Sequence, residues 1–325
     1  MKKFLKIFLP LALGIGILIY FLSGFTSRQF DQIKNSIRHA NYGLILLSLL
    51  LGLASHLIRA FRWKYLLYPI AEKHPRNINL VLSVGVSYLM NLGIPRSGEI
   101  GRAAILAKYE KLPFNKVMGT IIAERVADVL MLGMFILLAL ILELKKITGF
   151  LLPYLPHHPA WTAVILTVLI IAGFLGLYLL SKTRHPYLHK ISTFIRGIIR
   201  GAMNIFTMPY KWIFILETLL IWFLYLAMLW VVMLAFPETA RLGFSAVIFT
   251  FVVGSLSIVL SNGGIGTYPV FVTEALRLFG ISKEGGFAFS IVMWSAQTLL
   301  LIVMGVLSLV LLPVVNRENA SSTDT

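Results

Sequence analysis

The sequence predicts an all-α protein that crosses a membrane several times. Its 325 residues are 58% hydrophobic and only 13% charged, whereas soluble proteins average about 45–50% and about 25%. Eight apolar segments approach or exceed the roughly 17–25 residues that a helix needs to cross a bilayer. They cover residues 4–23, 42–58, 78–94, 117–142, 160–181, 212–236, 244–262 and 286–315. This pattern excludes a water-soluble domain, a disordered chain and a coiled coil.

The first segment resembles a secretion signal, because Lys2, Lys3 and Lys6 precede it. It is too long for the apolar part of a signal peptide, so we expect it to be a retained span. Residues 26–41 mix polar and apolar side chains, which suits either an amphipathic surface helix or a solvated loop. We expect one transmembrane domain over residues 1–315 and a disordered polar tail over residues 316–325.

The formal net charge of +16 has a membrane explanation. The basic residues lie mainly in the breaks between apolar segments, where the positive-inside rule and anionic lipid headgroups favour them. A nucleic-acid partner is not expected, because no basic soluble module is present. The sequence has no cysteine, which excludes disulfides, thiol nucleophiles and thiolate metal sites.

Two of the apolar segments are interrupted by glycine and proline. The segment 78–94 is followed by a break at residues 95–99 and a second short helix. The segment 244–262 is followed by a glycine-rich break at residues 263–269 and another short helix. The two breaks lie about 170 positions apart in corresponding places of the two halves, which is typical of a transporter built from an inverted repeat.

The distribution of basic residues decides the predicted topology. If the interrupted segments are re-entrant hairpins, six transmembrane helices remain, with 18 basic residues on the cytoplasmic side and 7 outside. Eight crossing segments with a cytoplasmic N-terminus would violate the positive-inside rule, and the reverse orientation would satisfy it less well than this model. We therefore predict six transmembrane helices and two re-entrant helical hairpins that enter from opposite sides, with a cytoplasmic N-terminus.

Six charged residues are predicted to lie at membrane depth. Each would cost roughly 2.5–3.5 kcal/mol if it faced lipid, so they must face one another or water. They can form a closed neutral network that only joins helices. Alternatively, an arginine binds an anionic headgroup, or a carboxylate exchanges a proton. The six are Arg96, Glu99 and Arg102 of the first hairpin, and Glu124, Arg125 and Asp128 of the next span.

The second hairpin offers a different kind of candidate site. Gly263, Gly264 and Gly266 expose backbone N–H groups just before Tyr268 and a helix N-terminus, an arrangement that can bind an anion. The same glycines can equally serve only to let the chain turn in a crowded place. Glu274 follows in this helix, three residues before Arg277, with which it can pair.

These motifs together resemble one known family. The set Pro95-x-Arg96-x-Gly98-Glu99-x-x-Arg102, then Glu124-Arg125-x-x-Asp128, then 263–266 ahead of Glu274, is similar to the transmembrane region of lysylphosphatidylglycerol synthases. The resemblance implies an inner-membrane protein that moves lipids or lipid-linked groups between leaflets. In fused members a soluble aminoacyl transferase follows this region. We expect no such activity here, because only a short tail follows the last span.

The leading hypothesis is a lipid translocase whose partners are anionic or polyprenyl-linked membrane lipids, with no cofactor and no metal. Arg96 and Arg102 would meet the lipid phosphate, and Glu99, Glu124 and Asp128 would orient them or exchange protons. One alternative is a membrane enzyme acting on lipid phosphates through a metal held by the acidic residues. Another is a subunit that anchors a soluble lipid-modifying enzyme through the loop 182–211.

Overall fold

The computed structural model describes residues 2–94, 96–151, 205 and 207–317, and the described part of the chain is helical without strands. The chain forms two compact units, residues 1–136 with 212–325 and residues 137–211. The predicted span 160–181 and nearly all of the loop 182–211 lie outside the described residues. The described helices are α1 (Lys2–Ser23), α2 (Ser27–Arg38), α3 (Tyr42–Leu67), α4 (Asn77–Gly93), α5 (Ser97–Tyr109), α6 (Phe114–Leu151), α7 (Lys211–Ala235), α8 (Phe244–Leu260), α9 (Thr267–Arg277) and α10 (Lys283–Val315).

Four of these helices are long and apolar enough to cross a membrane. They are α3 with the turn after it, α6 as far as a kink at Glu143, α7 and α10. Helix α1 covers the predicted first span. From Leu11 onwards it is long and apolar enough to cross a membrane only when it is counted together with α2, which is bent away from it by 109°. The prediction of a polytopic all-α membrane protein is confirmed.

The stretch 26–41 forms helix α2 and not a loop. A capping box begins the helix: the Thr26 hydroxyl accepts from the Gln29 N–H, and the Gln29 side chain accepts from the Thr26 N–H at 2.9 Å. These bonds satisfy N–H groups that have no partner within the helix. Ile33 is buried, and α2 packs against α10. The helical interpretation of this stretch is therefore correct.

The first interrupted segment is a helical hairpin. Helices α4 and α5 run antiparallel, because Asn79 at the start of α4 donates to Glu110 just after α5 at 2.6 Å. Near the tip, the Gly98 N–H donates to the Asn91 side chain at 2.9 Å. A Cβ atom at Gly98 would also collide with the Ser87 carbonyl oxygen, so a larger residue would separate the two helices here.

The second interrupted segment is also a helical hairpin. Helices α8 and α9 are joined at the tip, where the Thr267 hydroxyl donates to the Ser257 carbonyl at 3.0 Å and lies 2.6 Å from the Ser261 hydroxyl. Gly254 lies directly beneath the Tyr268 ring. Helices α4 and α8 have the same length, 17 residues. This similarity agrees with the predicted correspondence of the two hairpins.

The second hairpin lies along the N-terminal half of α10. The Ser290 hydroxyl donates to the Pro269 carbonyl at 3.0 Å, and Trp294 Nε1 donates to the Gly263 carbonyl at 2.9 Å. Because α10 has 33 residues, it is about 50 Å long. The tip of this hairpin therefore reaches about one third of the way along α10.

The first hairpin lies along the other end of α10. Asn316, which follows α10, donates to Asn79 at 2.8 Å. A Cβ atom at Gly263 would lie 3.1 Å from the Leu92 side chain, so the two tips touch. The two hairpins therefore approach each other from opposite ends of α10, which agrees with the prediction that they enter a membrane from opposite sides. Whether the tips stop inside a bilayer stays a prediction.

The contact of Asn316 also corrects the predicted tail. Asn316 is 4% exposed, and it donates to the Leu312 carbonyl as well as to Asn79. Its amide closes the C-terminal end of α10 against α4. The first residue of the predicted tail is thus part of the folded domain, while residues 318–325 lie outside the described ones.

Replacing Gly305 by Ala tests the packing of α10 on α4. A Cβ atom at Gly305 would lie 2.5 Å from Leu89 Cβ and 3.0 Å from the Gly85 carbonyl oxygen. Overpacking of this kind costs about 1–3 kcal/mol. We expect Gly305→Ala to lower the melting temperature of the purified protein by at least about 2 °C. Gly133→Ala, where a Cβ atom meets nothing within 4 Å, should not lower it. Equal losses in both variants would contradict this packing.

Candidate functional site

A buried carboxylate surrounded by arginines forms the centre of the candidate site. Glu124 of α6 is fully buried. Its oxygens lie 2.8 Å from Arg59, 2.8 Å from Arg102, 3.3 Å from Arg62 and 3.7 Å from Arg125. Glu124 therefore joins α3, α5 and α6 through ion pairs that water does not screen.

Two further carboxylates complete the cluster. Asp128 lies 2.8 Å from Arg59, 3.2 Å from Arg62 and 3.5 Å from Arg125. Glu99 lies 3.9 Å from Arg125 at the edge of the group. We call these four arginines and three carboxylates the arginine network. The formal charge of these seven side chains is +1, because four arginines face three carboxylates.

Helical spacing brings these side chains together. Arg59 and Arg62 lie three residues apart on α3, and Glu124 and Asp128 lie four residues apart on α6. Residues three or four positions apart share one face of a helix, so two arginines face two carboxylates. Arg62 also donates a hydrogen bond to the Thr218 hydroxyl at 2.9 Å, which connects helix α7 to the network.

The positions of Arg59 and Arg62 correct the sequence interpretation. Both were counted as cytoplasmic loop residues, but α3 continues to Leu67 and buries them inside the protein. Without them, 16 basic residues remain on the cytoplasmic side against 7 outside, so the positive-inside argument still holds. The missed signal is their i,i+3 spacing directly after the apolar segment 42–58.

The remaining arginine of the predicted cluster lies elsewhere. Arg96 is exposed at the tip of the first hairpin, in the left-handed conformation with φ of 62°. In the part of the chain that the structure describes it makes no ion pair. The predicted neutral group of six is therefore replaced by seven residues that include Arg59 and Arg62 and leave out Arg96. Of the two arginines expected to meet a phosphate, only Arg102 lies in the network.

Arg102 is held in position by the aromatic core beneath the network. Its guanidinium lies 4.5 Å from the centre of the Trp63 ring, a cation–π contact. Trp63 is fully buried and donates to the Thr120 hydroxyl at 2.8 Å. These contacts order the arginine side chain before any ligand binds, which lowers the entropic cost of binding.

A polar cavity of about 190 Å³ opens beside the network. Arg102 Nε is buried and has no hydrogen-bond partner within the part of the chain that the structure describes. Since a water needs roughly 10–15 Å³ of such volume, the cavity has room for several waters or for a phosphate group. Arg125 is its most exposed wall residue, with 45% of the side chain accessible. The cavity is lined by Arg59, Val84, Ser87, Tyr88, Asn91, Arg102, Arg125 and Tyr225.

A histidine that the sequence analysis did not single out lies behind the cavity wall. His56 is 7% exposed, and its Nδ1 lies 3.0 Å from the Tyr88 hydroxyl. The Tyr225 hydroxyl accepts a hydrogen bond from Arg59 Nε at 3.2 Å. His56 was missed because a lone histidine in an apolar segment has no local pattern. Only the fold brings it to Tyr88.

The second hairpin supports the purely structural alternative for its glycines. Gly263, Gly264 and Gly266 have φ angles of 63°, 78° and 75°, which side chains disfavour. A Cβ atom at Gly266 would collide with the Gly14 carbonyl of α1. Tyr268 is buried. The glycines are thus explained by the turn and by the close approach of α1, and an anion site at this tip stays a prediction.

Glu274 is not part of the arginine network. It forms an exposed ion pair of 2.9 Å with Arg277. Its neighbour Thr273 packs against Gly286 near the start of α10, whereas the first hairpin packs near Gly305. These two levels are about 28 Å apart along the helix. The structure therefore separates Glu274 from the acidic residues of the first hairpin and α6.

A family model described as the lysylphosphatidylglycerol synthase transmembrane region matches residues 7–305. No curated protein and no solved structure matches the chain. The matched range contains both hairpins and every residue of the arginine network.

Replacing Glu124 by Gln tests the central position of this carboxylate. Removing one partner of a buried ion pair costs about 3–5 kcal/mol, because the remaining charges stay buried. We expect Glu124→Gln to lower the free energy of unfolding in detergent by this amount. Glu99→Gln at the edge of the network should cost no more than about 1 kcal/mol. Equal effects of the two substitutions would show that Glu124 is not the centre of the network.

Proposed function

This chain belongs to the family of the lysylphosphatidylglycerol synthase transmembrane region, and we propose that it moves a lipid with an anionic headgroup between the two leaflets of a membrane. The family and the apolar helices establish a multi-pass membrane protein. The specific transport activity is our proposal. The basic residues favour the cytoplasmic membrane, with the N-terminus in the cytoplasm.

The single observation that carries the proposal is the excess positive charge beside the polar cavity. Each of the four arginines contacts a carboxylate, but the seven side chains together carry a formal charge of +1, which an anion in the cavity would neutralise. Arg59, Arg102 and Arg125 all line the cavity. Their planar guanidinium groups match the oxygens of a phosphate, which arginine binds through two parallel hydrogen bonds.

The position of Arg125 supports a lipid rather than a water-soluble ligand. Arg125 follows the start of α6 at Phe114 by about 17 Å, roughly half of a 30 Å hydrocarbon core. Ile122 and Val129, one turn before and after it on the same face, are exposed apolar residues. The cavity therefore opens on a face that suits lipid, so acyl chains can stay in the bilayer while the headgroup enters.

The two hairpins support a path for the headgroup across the membrane. Their tips touch between Leu92 and Gly263, and each hairpin comes from its own end of α10. We propose that the first hairpin receives the headgroup and that the second takes it over towards the other leaflet. Irregular backbone at this depth is tolerated where it lines such a cavity.

The network favours transport over catalysis through a metal. A metal-dependent enzyme needs carboxylate oxygens that are free to bind the ion. Here Glu124 and Asp128 are each within 3.3 Å of two or more arginine nitrogens. Their charges are already compensated by cations of the protein itself. We therefore assign the carboxylates the role of holding the arginines in position.

Replacing Arg125 tests this function in proteoliposomes. Arg125→Gln removes the excess charge while the half-exposed side chain leaves no buried cavity. We expect the rate of exchange of fluorescent phosphatidylglycerol between leaflets, measured by dithionite quenching, to fall at least tenfold. Arg125→Lys keeps the charge but loses the planar group, and should retain an intermediate rate.

Arg277→Gln is the matched control, because it removes an exposed arginine that also pairs with a carboxylate. This variant should exchange the lipid at the wild-type rate. The exchange rates are compared only among variants that match the wild type in melting temperature and in the amount of protein reconstituted into the liposomes. A wild-type rate in folded Arg125→Gln would contradict the proposed role of the excess charge.

A further inference from the structure

We propose that His56 takes up a proton when the anionic headgroup binds, so that anion and proton occupy the protein together. This inference rests on the proposed function, because it assumes that an anion enters the polar cavity. It concerns the charge balance of the site and assigns a role to a buried titratable group. Histidine is the side chain whose charge changes most readily near neutral pH.

The charge of the empty site opposes a proton on His56. Arg59 follows His56 by one helical turn on α3, and the arginine network already has one excess positive charge. A charged imidazole would add a second one in a low-dielectric interior, where like charges repel strongly. A bound phosphodiester cancels the first excess charge and makes the second acceptable. Binding of the anion and of the proton must then strengthen each other equally.

Tyr88 provides the hydrogen-bond connection. Its hydroxyl lies 3.0 Å from His56 Nδ1, and its side chain also lines the cavity. We assign neutral His56 the tautomer with its hydrogen on Nε2, in which Nδ1 accepts from the Tyr88 O–H group. When His56 is protonated on both nitrogens, Nδ1 donates to the Tyr88 oxygen instead. The Tyr88 O–H group is then free to donate to an anion in the cavity. One proton on His56 thus turns one additional hydrogen-bond donor towards the ligand.

The surroundings leave His56 as the group able to exchange this proton. Tyr88 of α4 and Tyr225 of α7 face the His56 ring, with ring centres 4.5 and 6.3 Å away. Arg59 is the charged neighbour on its own helix, and it leads to Glu124 and Asp128 of α6. Helix α10 contributes no ionisable group, because its sequence has none between Glu284 and Arg317.

The same geometry argues against the carboxylates as proton carriers. From the sequence alone, Glu99, Glu124 or Asp128 could exchange protons. Glu124 and Asp128 are each bound by several arginines, which stabilise the charged form of a carboxylate. Glu99 lies 3.9 Å from Arg125 at the edge of the network. Among the described residues, His56 has a tyrosine as its hydrogen-bond partner and no acidic group in direct contact.

The test measures how the affinity for a phosphodiester lipid depends on pH. Short-chain phosphatidylglycerol is titrated by calorimetry into the purified full-length protein between pH 5.5 and pH 8, where this ligand keeps one negative charge. For the wild type we expect the affinity to fall at least tenfold over this range. In buffers of different ionisation enthalpy, the heat should show uptake of up to one proton for each lipid bound.

His56→Gln keeps a hydrogen-bonding side chain but cannot become charged. We expect this variant to bind the lipid with an affinity that is independent of pH and without proton uptake. His39→Gln is the matched control, since His39 is exposed and hydrogen-bonds to the backbone of its own helix α2. It should behave as the wild type does.

The possible results of this titration overturn different parts of the proposal. If binding to His56→Gln still depends on pH, the role of His56 is overturned, while the anion site stands. Binding that does not depend on pH in the wild type would overturn the linkage itself. Absence of binding at every pH would instead overturn the proposed function. A chain-free glycerophosphodiester, titrated in parallel, distinguishes a free phosphate ligand from a lipid, because only a lipid site should bind the short-chain lipid more tightly.

Discussion

The structure depends on one constraint: charges inside a membrane protein must be neutralised by other groups of the protein or by a ligand. Glu124 meets this constraint for four arginines at once, from three different helices. Removing such a partner would leave uncompensated charges in an apolar interior. The ion pairs of Glu124 therefore constrain the relative positions of α3, α5 and α6. The network carries one more positive than negative charge, and the proposed function rests on this excess charge.

The sequence predicted the helices of the described part of the chain from their apolar segments. It predicted both hairpins because glycine and proline interrupt such segments at residues 95–99 and 263–269. It also placed Arg102, Glu124, Arg125 and Asp128 near one another. It misplaced Arg59 and Arg62, because an apolar segment does not reveal that its helix continues beyond it. It included Arg96, since the left-handed turn that directs this residue outward depends on the folded hairpin. His56 could not be identified from the sequence for a related reason, because its hydrogen-bond partner Tyr88 comes from another helix.

Small residues allow the charged centre to form. Gly85 and Gly305 let α4 and α10 approach closely, and Gly98 lets α5 fold back on α4. Helix α10 thereby aligns the two hairpins from opposite ends, with their tips in contact at Gly263 and Leu92. This arrangement puts the polar cavity beside the first hairpin and leaves Arg125 at a face that suits lipid. These glycines therefore allow the close packing on which the site depends.

The most direct test of the central claim is native mass spectrometry of the protein purified from membranes, with identification of the lipids that stay bound. We predict that the wild type retains an anionic phospholipid and that Arg125→Gln loses it, while Arg277→Gln retains it. If the wild type and Arg125→Gln retain the same lipids in the same amounts, the excess charge of the network does not bind a headgroup, and the network only joins the helices.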